Sequence, residues 1–272
     1  MVKLIVTDMD GTLLNDKKEL PEKTFAIINQ LQKRGITFAV ASGREYQSLL
    51  QIYKEIADDI IIVADNGARI ANKGKITFYD TFAPANIKEI VMAVNQIPSL
   101  KIVICGLKST YMFEDDLMPG MAEHLVSSYF PQRVLIKNLS ELPADDEVIK
   151  FAIFDPNQQA QKNIYEKVKH LHHKYQLAVS GAEWMDIMNL GVNKGVAVKK
   201  IQQSLGIGAK ETMVFGDAQN DYEMMQQAYY SYAMANAVAE IKAVANFTAP
   251  SNEANGVIQI LENFLTKHDA DV

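Results

Sequence analysis

Four aspartates stand directly after two apolar runs that lie far apart in the sequence. Asp8 and Asp10 follow the first run, and Asp217 and Asp221 follow the second. Side chains two residues apart in an extended chain project to the same side, so Asp8 and Asp10 share one face. Carboxylates crowded at one site repel each other unless a cation or a proton intervenes. A hard divalent cation meets this need, because Mg²⁺ is commonly held by one or two carboxylates together with phosphate oxygens and water.

Two further residues carry groups that a phosphoryl group needs. Ser42 follows a third apolar run and offers a hydroxyl donor. Lys194 stands just ahead of a predicted helix and offers a positive charge. Helix N-termini and charged donors both favour phosphate oxygens. These residue types therefore predict a site for a divalent cation and a phosphoryl group.

The segments that position these residues follow the pattern of a parallel α/β sheet. Strands buried on both faces are typically short, continuous apolar runs. Helices alternate with such strands when the sheet is parallel and its crossovers are right-handed. Ligands bind beyond the carboxyl ends of the strands, which is where the polar residues stand. We predict strands at 4–6, 36–41, 60–64 and 213–215, and helices at 21–35, at 45–57 and from 194 to 205.

The middle of the chain has a different pattern. Short strands separated by brief turns imply antiparallel pairing in a unit of the α+β type. We therefore predict an α/β fold with a doubly wound, Rossmann-like parallel core in residues 1–83 and 190–272, and an inserted α+β cap domain in residues 84–189. The insertion is predicted to contain helices at 85–97 and 158–175 and strands at 101–105, 110–114, 133–136, 148–154, 177–179 and 185–188.

The ordered motifs of the chain resemble those of a known family. The segments similar to the four motifs of the haloacid dehalogenase (HAD) superfamily are Asp8-x-Asp10-Gly11-Thr12, Ser42-Gly43-Arg44, Lys194-Gly195 and Gly216-Asp217-x-x-Asn220-Asp221. Residues 66–68, 233–237 and 251–257 resemble the Cof-type subfamily, whose members carry a large α/β cap between the second and third motifs. The predicted insertion at 84–189 occupies that place.

The resemblance implies hydrolysis of a phosphate monoester through a covalent aspartyl-phosphate. Asp8 would attack phosphorus as the nucleophile, which divides one difficult displacement into two easier ones. Asp10 would act as general acid and then as general base. Mg²⁺ would bind the Asp8 side chain, the Asp10 backbone carbonyl and the Asp217 side chain.

The resemblance also implies a set of phosphate-binding groups. Asp221 would orient its neighbours and would not bind the metal. The substrate would be a small phosphate ester, with sugar phosphates the first class to test and flavin-related or pyridoxal phosphates open. The implied phosphate-binding groups are the backbone N–H groups of Met9 and Gly43 and the side chains of Ser42, Lys194 and Asn220.

Two other functions remain open from the motifs. In a phosphomutase, Asp8 would pass its phosphoryl group to a second hydroxyl group of a sugar. A non-catalytic sensor would use the same pocket only to bind a phosphometabolite, although binding alone needs neither Asp8 nor Asp10. A P-loop nucleotidase is disfavoured because the chain lacks the Gly-x-x-x-x-Gly-Lys-Ser/Thr motif.

The composition limits which classes of binding partner and which cellular compartment we expect. The 272 residues carry a net charge of −6, which disfavours binding to nucleic acid or to an anionic membrane surface. The apolar runs all fall short of the ~18 residues of a membrane span. The single cysteine, Cys105, is interpreted as a buried apolar residue and suits a reducing compartment. We expect a cytoplasmic protein, and the oligomeric state is left open.

Several other residues have ordinary structural interpretations. His170, His172 and His173 lack a carboxylate or cysteine at ligand spacing, so a solvated helix face is expected. Trp184 is interpreted as a packing residue. Its place with Glu183 and Asp186, near the return from the insertion to the core, leaves open that these side chains face the site.

Overall fold

The chain forms two β-sheets, here called the larger and the smaller sheet. The computed structural model describes residues 1–97, 99–116, 129–130 and 132–269. The larger sheet has eight strands in the order β14-β13-β12-β1-β2-β3-β4-β5. These strands are β1 Leu4–Thr7, β2 Thr37–Ala41, β3 Ile61–Ala64, β4 Arg69–Asn72, β5 Lys75–Tyr79, β12 Thr212–Gly216, β13 Tyr230–Met234 and β14 Phe247–Ala249.

The six strands from β14 to β3 are parallel, as the continuous apolar runs predict. The β1 strand lies at their centre and its four residues are buried. A β4–β5 hairpin, which we did not predict, extends the sheet in the antiparallel sense. Its turn at Lys73 and Gly74 adopts positive φ at both residues, as tight hairpins prefer.

Some of the helices cover the larger sheet, and others lie between strands of the smaller sheet in the chain. The helix predicted at 21–35 spans Thr24–Lys33, and the helix predicted at 45–57 spans Tyr46–Tyr53. No helix among the described residues is both long and apolar enough to cross a membrane. The α-helices of the described residues are α1 Thr24–Lys33, α2 Tyr46–Tyr53, α3 Pro84–Asn95, α4 Glu166–Val168, α5 Lys194–Leu205, α6 Tyr222–Met225, α7 Ala239–Val244 and α8 Gly256–Asp269.

The smaller sheet has six strands in the order β10-β11-β9-β6-β7-β8. The strands joined by brief turns, β6 with β7 and β10 with β11, pair antiparallel as predicted, and the remaining pairings are antiparallel except that β7 and β8 are parallel. The connection from 114 to 132 is long enough for the crossover that a parallel pair requires. The strands are β6 Lys101–Gly106, β7 Thr110–Phe113, β8 Arg133–Ile136, β9 Val148–Phe154, β10 Tyr175–Val179 and β11 Trp184–Asn189.

The long helix predicted at 158–175 is wrong as a single regular helix. The chain forms a π-helical turn at Gln161–Tyr165, the short α4 helix and a 3₁₀ segment at Lys169–His173. Tyr175 belongs instead to β10, where it pairs with Asn189. Ile164, Val168 and Leu171 are buried at helical spacing, although the hydrogen bonding is not that of one α-helix.

Buried polar contacts hold the smaller sheet against the larger one. The Thr110 hydroxyl group donates to Glu45 Oε2 at 2.5 Å. The Arg69 guanidinium donates to the Gly106 carbonyl at 2.8 Å. Asn189 Nδ2 donates to Asp80 Oδ1 at 2.6 Å, which ties together two segments where the chain passes between the sheets. The domain boundaries at 83/84 and 189/190 stay a prediction.

We predict that the Glu45 contact makes folding stability depend on pH. Burial, with the negative charge of Asp65, raises the pKa of Glu45 to about 7, although Thr110, Lys150 and Arg69 oppose the shift. The folded protein therefore binds a proton that the unfolded chain releases above its ordinary pKa of 4.5. Stability from this group is lost as pH rises from that value through about 7. Glu45→Gln should thus raise the melting temperature more at pH 8 than at pH 5.

Differential scanning fluorimetry at the two pH values checks this expectation. The exposed Glu55 gives a matched control, and Glu55→Gln should shift the melting temperature equally at both. An equal shift for Glu45→Gln at pH 5 and pH 8 would show that Glu45 is not buried in the protonated form.

Candidate active site

The predicted site residues meet at the carboxyl edge of the larger sheet. Asp8 directly follows β1, Ser42 follows β2 and Asp217 follows β12, and these three strands are neighbours in the order β12-β1-β2. Adjacent parallel strands present their carboxyl ends to one crevice. The topology therefore brings together residues from the beginning and the end of the chain.

Lys194 is the buried cation of this edge. It begins α5, and the Asn193 side chain caps that helix by accepting from the Val196 N–H group at 2.8 Å. Lys194 Nζ donates to Asp8 Oδ1 at 2.6 Å and to Asp221 Oδ1 at 2.7 Å. Burial lowers the pKa of Lys194, but the two carboxylates outweigh it and the net shift is upward. The lysine therefore stays charged.

The site contains more negative charge than Lys194 neutralises. Burial raises the pKa of Asp8 well above its ordinary value, and Asp221 and Asp217 raise it further against the opposing effect of Lys194. Burial and Asp221 likewise raise the pKa of Asp217 to about 6. Oxygens of Asp8, Asp217 and Asp221 lie within 4.8 Å of one another. Carboxylates in excess of one ammonium group create a local negative charge of the kind that a hard divalent cation balances.

Asp221 differs from the other two carboxylates in its contacts. Its Oδ1 accepts from Lys194, and its Oδ2 accepts from the backbone N–H groups of Asp217 and Ala218 at 2.9 and 3.1 Å. Both oxygens are thus engaged in holding the loop after β12. This geometry agrees with an orienting role, and metal binding by Asp8 and Asp217 without Asp221 stays a prediction.

Gly11 allows the first loop to approach Asp217 closely. Its φ of +81° lies in the left-handed region. A Cβ atom at this position would lie 2.4 Å from Asp217 Oδ2, which is far inside contact distance. The nearby Thr12 hydroxyl group donates to Asp217 Oδ1 at 2.6 Å. The Gly-Thr pair of the first motif therefore fixes the position of a carboxylate contributed by the other half of the chain.

Asp10 is held by two cations that the sequence did not identify. Arg44 binds both carboxylate oxygens, with Nε to Oδ2 at 2.7 Å and Nη2 to Oδ1 at 2.8 Å. Lys18 Nζ lies 2.9 Å from Oδ1. Burial alone would raise the pKa of Asp10, but Arg44 and Lys18 outweigh it and lower the pKa to about 2. The side chain is therefore ionised at neutral pH.

The predicted phosphate-binding groups surround the same place. Met9 is fully buried and its Sδ accepts from the Tyr53 hydroxyl group at 3.0 Å, so only its backbone can face the site. Ser42 Oγ accepts from the Arg44 N–H group at 3.1 Å. Asn220 Nδ2 donates to Asn66 Oδ1 at 3.0 Å.

A cavity of about 280 Å³ lies over this edge. Its floor includes Asp8, Asp10, Ser42, Gly43 and Asn220 from the larger sheet. Lys194 and Asp217 do not line it, and Lys194 borders a neighbouring cavity of about 320 Å³ instead. Asn220 lines both cavities, so the two cavities meet at the predicted phosphate site.

The smaller sheet provides the roof of the 280 Å³ cavity. Glu183, Trp184 and Asp186 all line the cavity. The sequence left open whether these side chains face the site, and the structure shows that they do. Trp184 also packs against Phe154 with ring centroids 4.8 Å apart, so it has a packing role as well. The roof further includes Tyr129, Phe130, Lys150, Ala152, Ser180, Gly181 and Ala182.

Of the three histidines and the cysteine, only His172 lines one of these two cavities, the one of about 320 Å³. His170, His172 and His173 are exposed, as expected, although in a 3₁₀ segment. Cys105 is buried, as predicted. Arg44 belonged to a recognised motif but had no predicted contact, and Lys18 and Lys150 gave no signal in the sequence that set them apart from solvated lysines.

Comparison with known proteins places these features in a family. Residues 5–261 match the family described as haloacid dehalogenase-like hydrolase. The chain is 33% identical over 275 residues to the 5-amino-6-(5-phospho-D-ribitylamino)uracil phosphatase YbjI of Escherichia coli K12, covering 99% of this chain and 98% of that protein. It is 27% identical over 250 residues to the HMP-PP phosphatase of Shigella boydii serotype 4, covering 89% of this chain and 92% of that protein.

A solved structure shows the same fold. The protein SMU.1108c of Streptococcus mutans UA159 superimposes with a TM-score of 0.87 at 31% identity, covering 98% of this chain and all of that one. The predicted fold class is thereby confirmed, and so is the predicted enzyme class, because the named relatives are phosphatases. With its motifs at one sheet edge and its match extending over almost the full length, the chain belongs to the haloacid dehalogenase-like hydrolase family.

Proposed function

We propose that the protein is a Mg²⁺-dependent phosphatase that hydrolyses small phosphate monoesters through an aspartyl-phosphate on Asp8. The observation that carries this proposal is the buried contact of Lys194 with Asp8, in a cluster of three carboxylates of which Asp8 also lines the cavity. A buried carboxylate beside a fixed ammonium group suits a nucleophile. Binding alone would not require this costly arrangement of charge.

The side chains of Asp8 and Asp217 and the backbone carbonyl of Asp10 would hold Mg²⁺. When bound, Mg²⁺ supplies positive charge that lowers the repulsion between Asp8 and an incoming phosphate dianion. This charge is needed because the pKa of Asp8 is raised despite Lys194, whereas a nucleophile must be ionised. The phosphate oxygens would contact the N–H groups of Met9 and Gly43 and the side chains of Ser42, Lys194 and Asn220.

Asp10 would transfer protons to and from the reacting oxygens. Its pairing with Arg44 favours the ionised form, which is the form that a base requires to activate water. Donation to the leaving oxygen in the first half of the reaction requires the protonated form. A phosphate dianion beside Asp10 repels its negative charge and attracts Arg44, and both effects raise the pKa of Asp10. We therefore propose that substrate binding loosens the Asp10–Arg44 pair.

Sugar phosphates are the first substrate class that we propose. A cavity of about 280 Å³ with polar groups at its floor accommodates a small molecule rather than a folded phosphoprotein. The relatives act, by their names, on different compounds, so flavin-related and pyridoxal phosphates belong in the same panel. We also propose a cytoplasmic location, since the one cysteine is a buried free thiol.

The first prediction concerns the nucleophile. Asp8→Asn should lower phosphate release from every ester in the panel by on the order of 10³-fold or more, because the amide cannot form the phosphoenzyme. Wild-type activity should require Mg²⁺ and disappear in EDTA. The measurement is release of inorganic phosphate, with the exposed Asp59→Asn as the matched carboxylate control.

Other outcomes would favour the other functions. Isomerised product without free phosphate would identify a phosphomutase, particularly if a bisphosphate activator is required. Tight metabolite binding without turnover would identify a sensor. Activity that survives Asp8→Asn would overturn the proposed mechanism itself.

The second prediction concerns Asp10. Asp10→Asn should lower kcat/KM by about 10²- to 10⁴-fold for a sugar phosphate, whose alkoxide leaving group needs a proton. The loss should be much smaller for p-nitrophenyl phosphate, because p-nitrophenolate leaves without protonation. Steady-state kinetics on both substrates measures the difference. Equal losses on the two substrates would contradict the acid role.

A further inference from the structure

Two charged side chains of the smaller sheet are buried against loops of the larger sheet. Lys150 of β9 is 1% exposed and Asp186 of β11 is 3% exposed. Lys150 Nζ donates to the Gly43 carbonyl at 2.6 Å. Asp186 Oδ2 accepts from Asn66 Nδ2 at 2.6 Å. Both residues also line the cavity above the predicted phosphate site, so these contacts are made at its wall.

The shortest contact of Lys150 is with the backbone, not with a carboxylate. Its Nζ lies 3.2 Å from Asp65 Oδ1 and 3.9 Å from Asp186 Oδ1, both longer than its bond to the Gly43 carbonyl. The Asp65 oxygens form no hydrogen bond within the described part of the chain. The two acids thus provide the charge balance that a buried ammonium group requires, while the hydrogen bond fixes the peptide after Gly43.

Asp186 acts on the phosphate site through one intermediate residue. Asn66 donates from Nδ2 to Asp186 and accepts at Oδ1 from Asn220 Nδ2 at 3.0 Å. Asp186 Oδ2 accepts from Asn66 Nδ2, which leaves the carbonyl side of the Asn66 amide facing Asn220. Asn66 is itself fixed in the left-handed region at φ 55° and is 1% exposed. The orientation of Asn220 therefore depends on Asp186.

The Gly43 backbone fits tightly against the same pair. A Cβ atom at Gly43 would lie 3.2 Å from the Asn66 amide and 3.3 Å from Asp186 Oδ2. Lys150 thus contacts the carbonyl of the same residue whose N–H group is predicted to bind phosphate, and Asp186 reaches Asn220 through Asn66. Contacts of this precision matter because a small displacement of a binding group is costly to catalysis.

We propose that Lys150 and Asp186 are positioning residues that orient Gly43 and Asn220 to bind the phosphoryl group. The proposal rests on the proposed function. It means that the smaller sheet completes the phosphate site as well as covering the leaving group. The effect of these residues should consequently be the same whatever the leaving group is, and should extend to inorganic phosphate, which has none.

The test uses the full chain with Mg²⁺ and inorganic phosphate as the probe. Asp186→Ala should weaken phosphate binding, measured by calorimetry, by about 10- to 100-fold. Asp186→Asn retains an oxygen that can accept from Asn66, so it should keep most of the wild-type affinity. The kcat/KM values for acetyl phosphate and for a sugar phosphate should fall by the same factor in Asp186→Ala.

A double-mutant cycle tests the route through Asn66. If Asp186 acts by orienting Asn220, the double variant Asp186→Ala with Asn220→Ala should bind phosphate no more weakly than Asn220→Ala alone. Independent, multiplicative losses would overturn this route. A loss in Asp186→Ala confined to the sugar phosphate would show instead that Asp186 contacts the leaving group, which also overturns the proposal.

Lys150→Met tests the second contact. It should weaken phosphate binding in the same leaving-group-independent way. Lys101 of the neighbouring β6 strand gives the matched control, because it is partly buried and pairs with Asp116 at 3.0 Å away from the cavity. Lys101→Met should leave phosphate binding unchanged. Melting temperatures identify any variant that fails to fold, and the Asp186→Asn and Asp186→Ala pair then decides the question.

The outcomes separate this proposal from the proposed function. A wild-type protein that neither binds phosphate nor hydrolyses any ester would overturn the proposed function. A wild-type protein that hydrolyses esters, with folded Asp186→Ala and Lys150→Met variants of unchanged phosphate affinity, would overturn the positioning role alone.

Discussion

The excess of buried negative charge around Lys194 is the constraint on which the rest of the site depends. One ammonium group contacts Asp8 and Asp221, while Asp217 adds a third carboxylate nearby. Loss of one partner from a buried ion pair costs roughly 3–5 kcal/mol, so none of these groups is free to move independently. The remaining imbalance raises the pKa of Asp8 and of Asp217. The same imbalance is the physical basis of our proposal that Mg²⁺ binds here.

The parallel sheet makes this crowding possible. Residues that are 186 positions apart in the chain, Asp8 and Lys194, are brought within 2.6 Å because β1 is central and α5 starts at the same edge. The loops tolerate such proximity only where side chains are small, as at Gly11 beneath Asp217. The charged residues and the small residues that let them approach each other therefore lie in the same short segments. This explains why the motifs are compact.

The sequence predicted the site residues that stand at strand ends. It did not predict the side-chain contacts that form only in the tertiary structure. Asp8 and Asp217 were predictable because buried strands have a continuous apolar pattern and end in polar residues. The Arg44 contact to Asp10 was not, because a side chain's direction in a loop has no periodic signal. For the segment 158–175, the prediction of one long helix was wrong because π, α and 3₁₀ turns bury nearly the same face, so side-chain spacing does not distinguish them. The parallel pairing of β7 with β8 likewise depends on a long connection rather than on the strands themselves.

Successive side chains of the β9 strand alternate between the hydrophobic core of the smaller sheet and the cavity. Phe151 and Ile153 belong to its hydrophobic core, whereas Lys150 and Ala152 line the cavity. Ala152 is 2% exposed and belongs to a second apolar cluster with Val103 and Phe130, so a larger residue at 152 would alter packing on the cavity face while leaving the core on the other face in place. Lys150 is different, since it faces the cavity yet bonds to the Gly43 loop. If Lys150 positions the Gly43 loop, as we propose, the smaller sheet must keep this contact while other cavity residues change to suit different leaving groups. Specificity can then diverge at some cavity positions while the phosphate site retains one geometry.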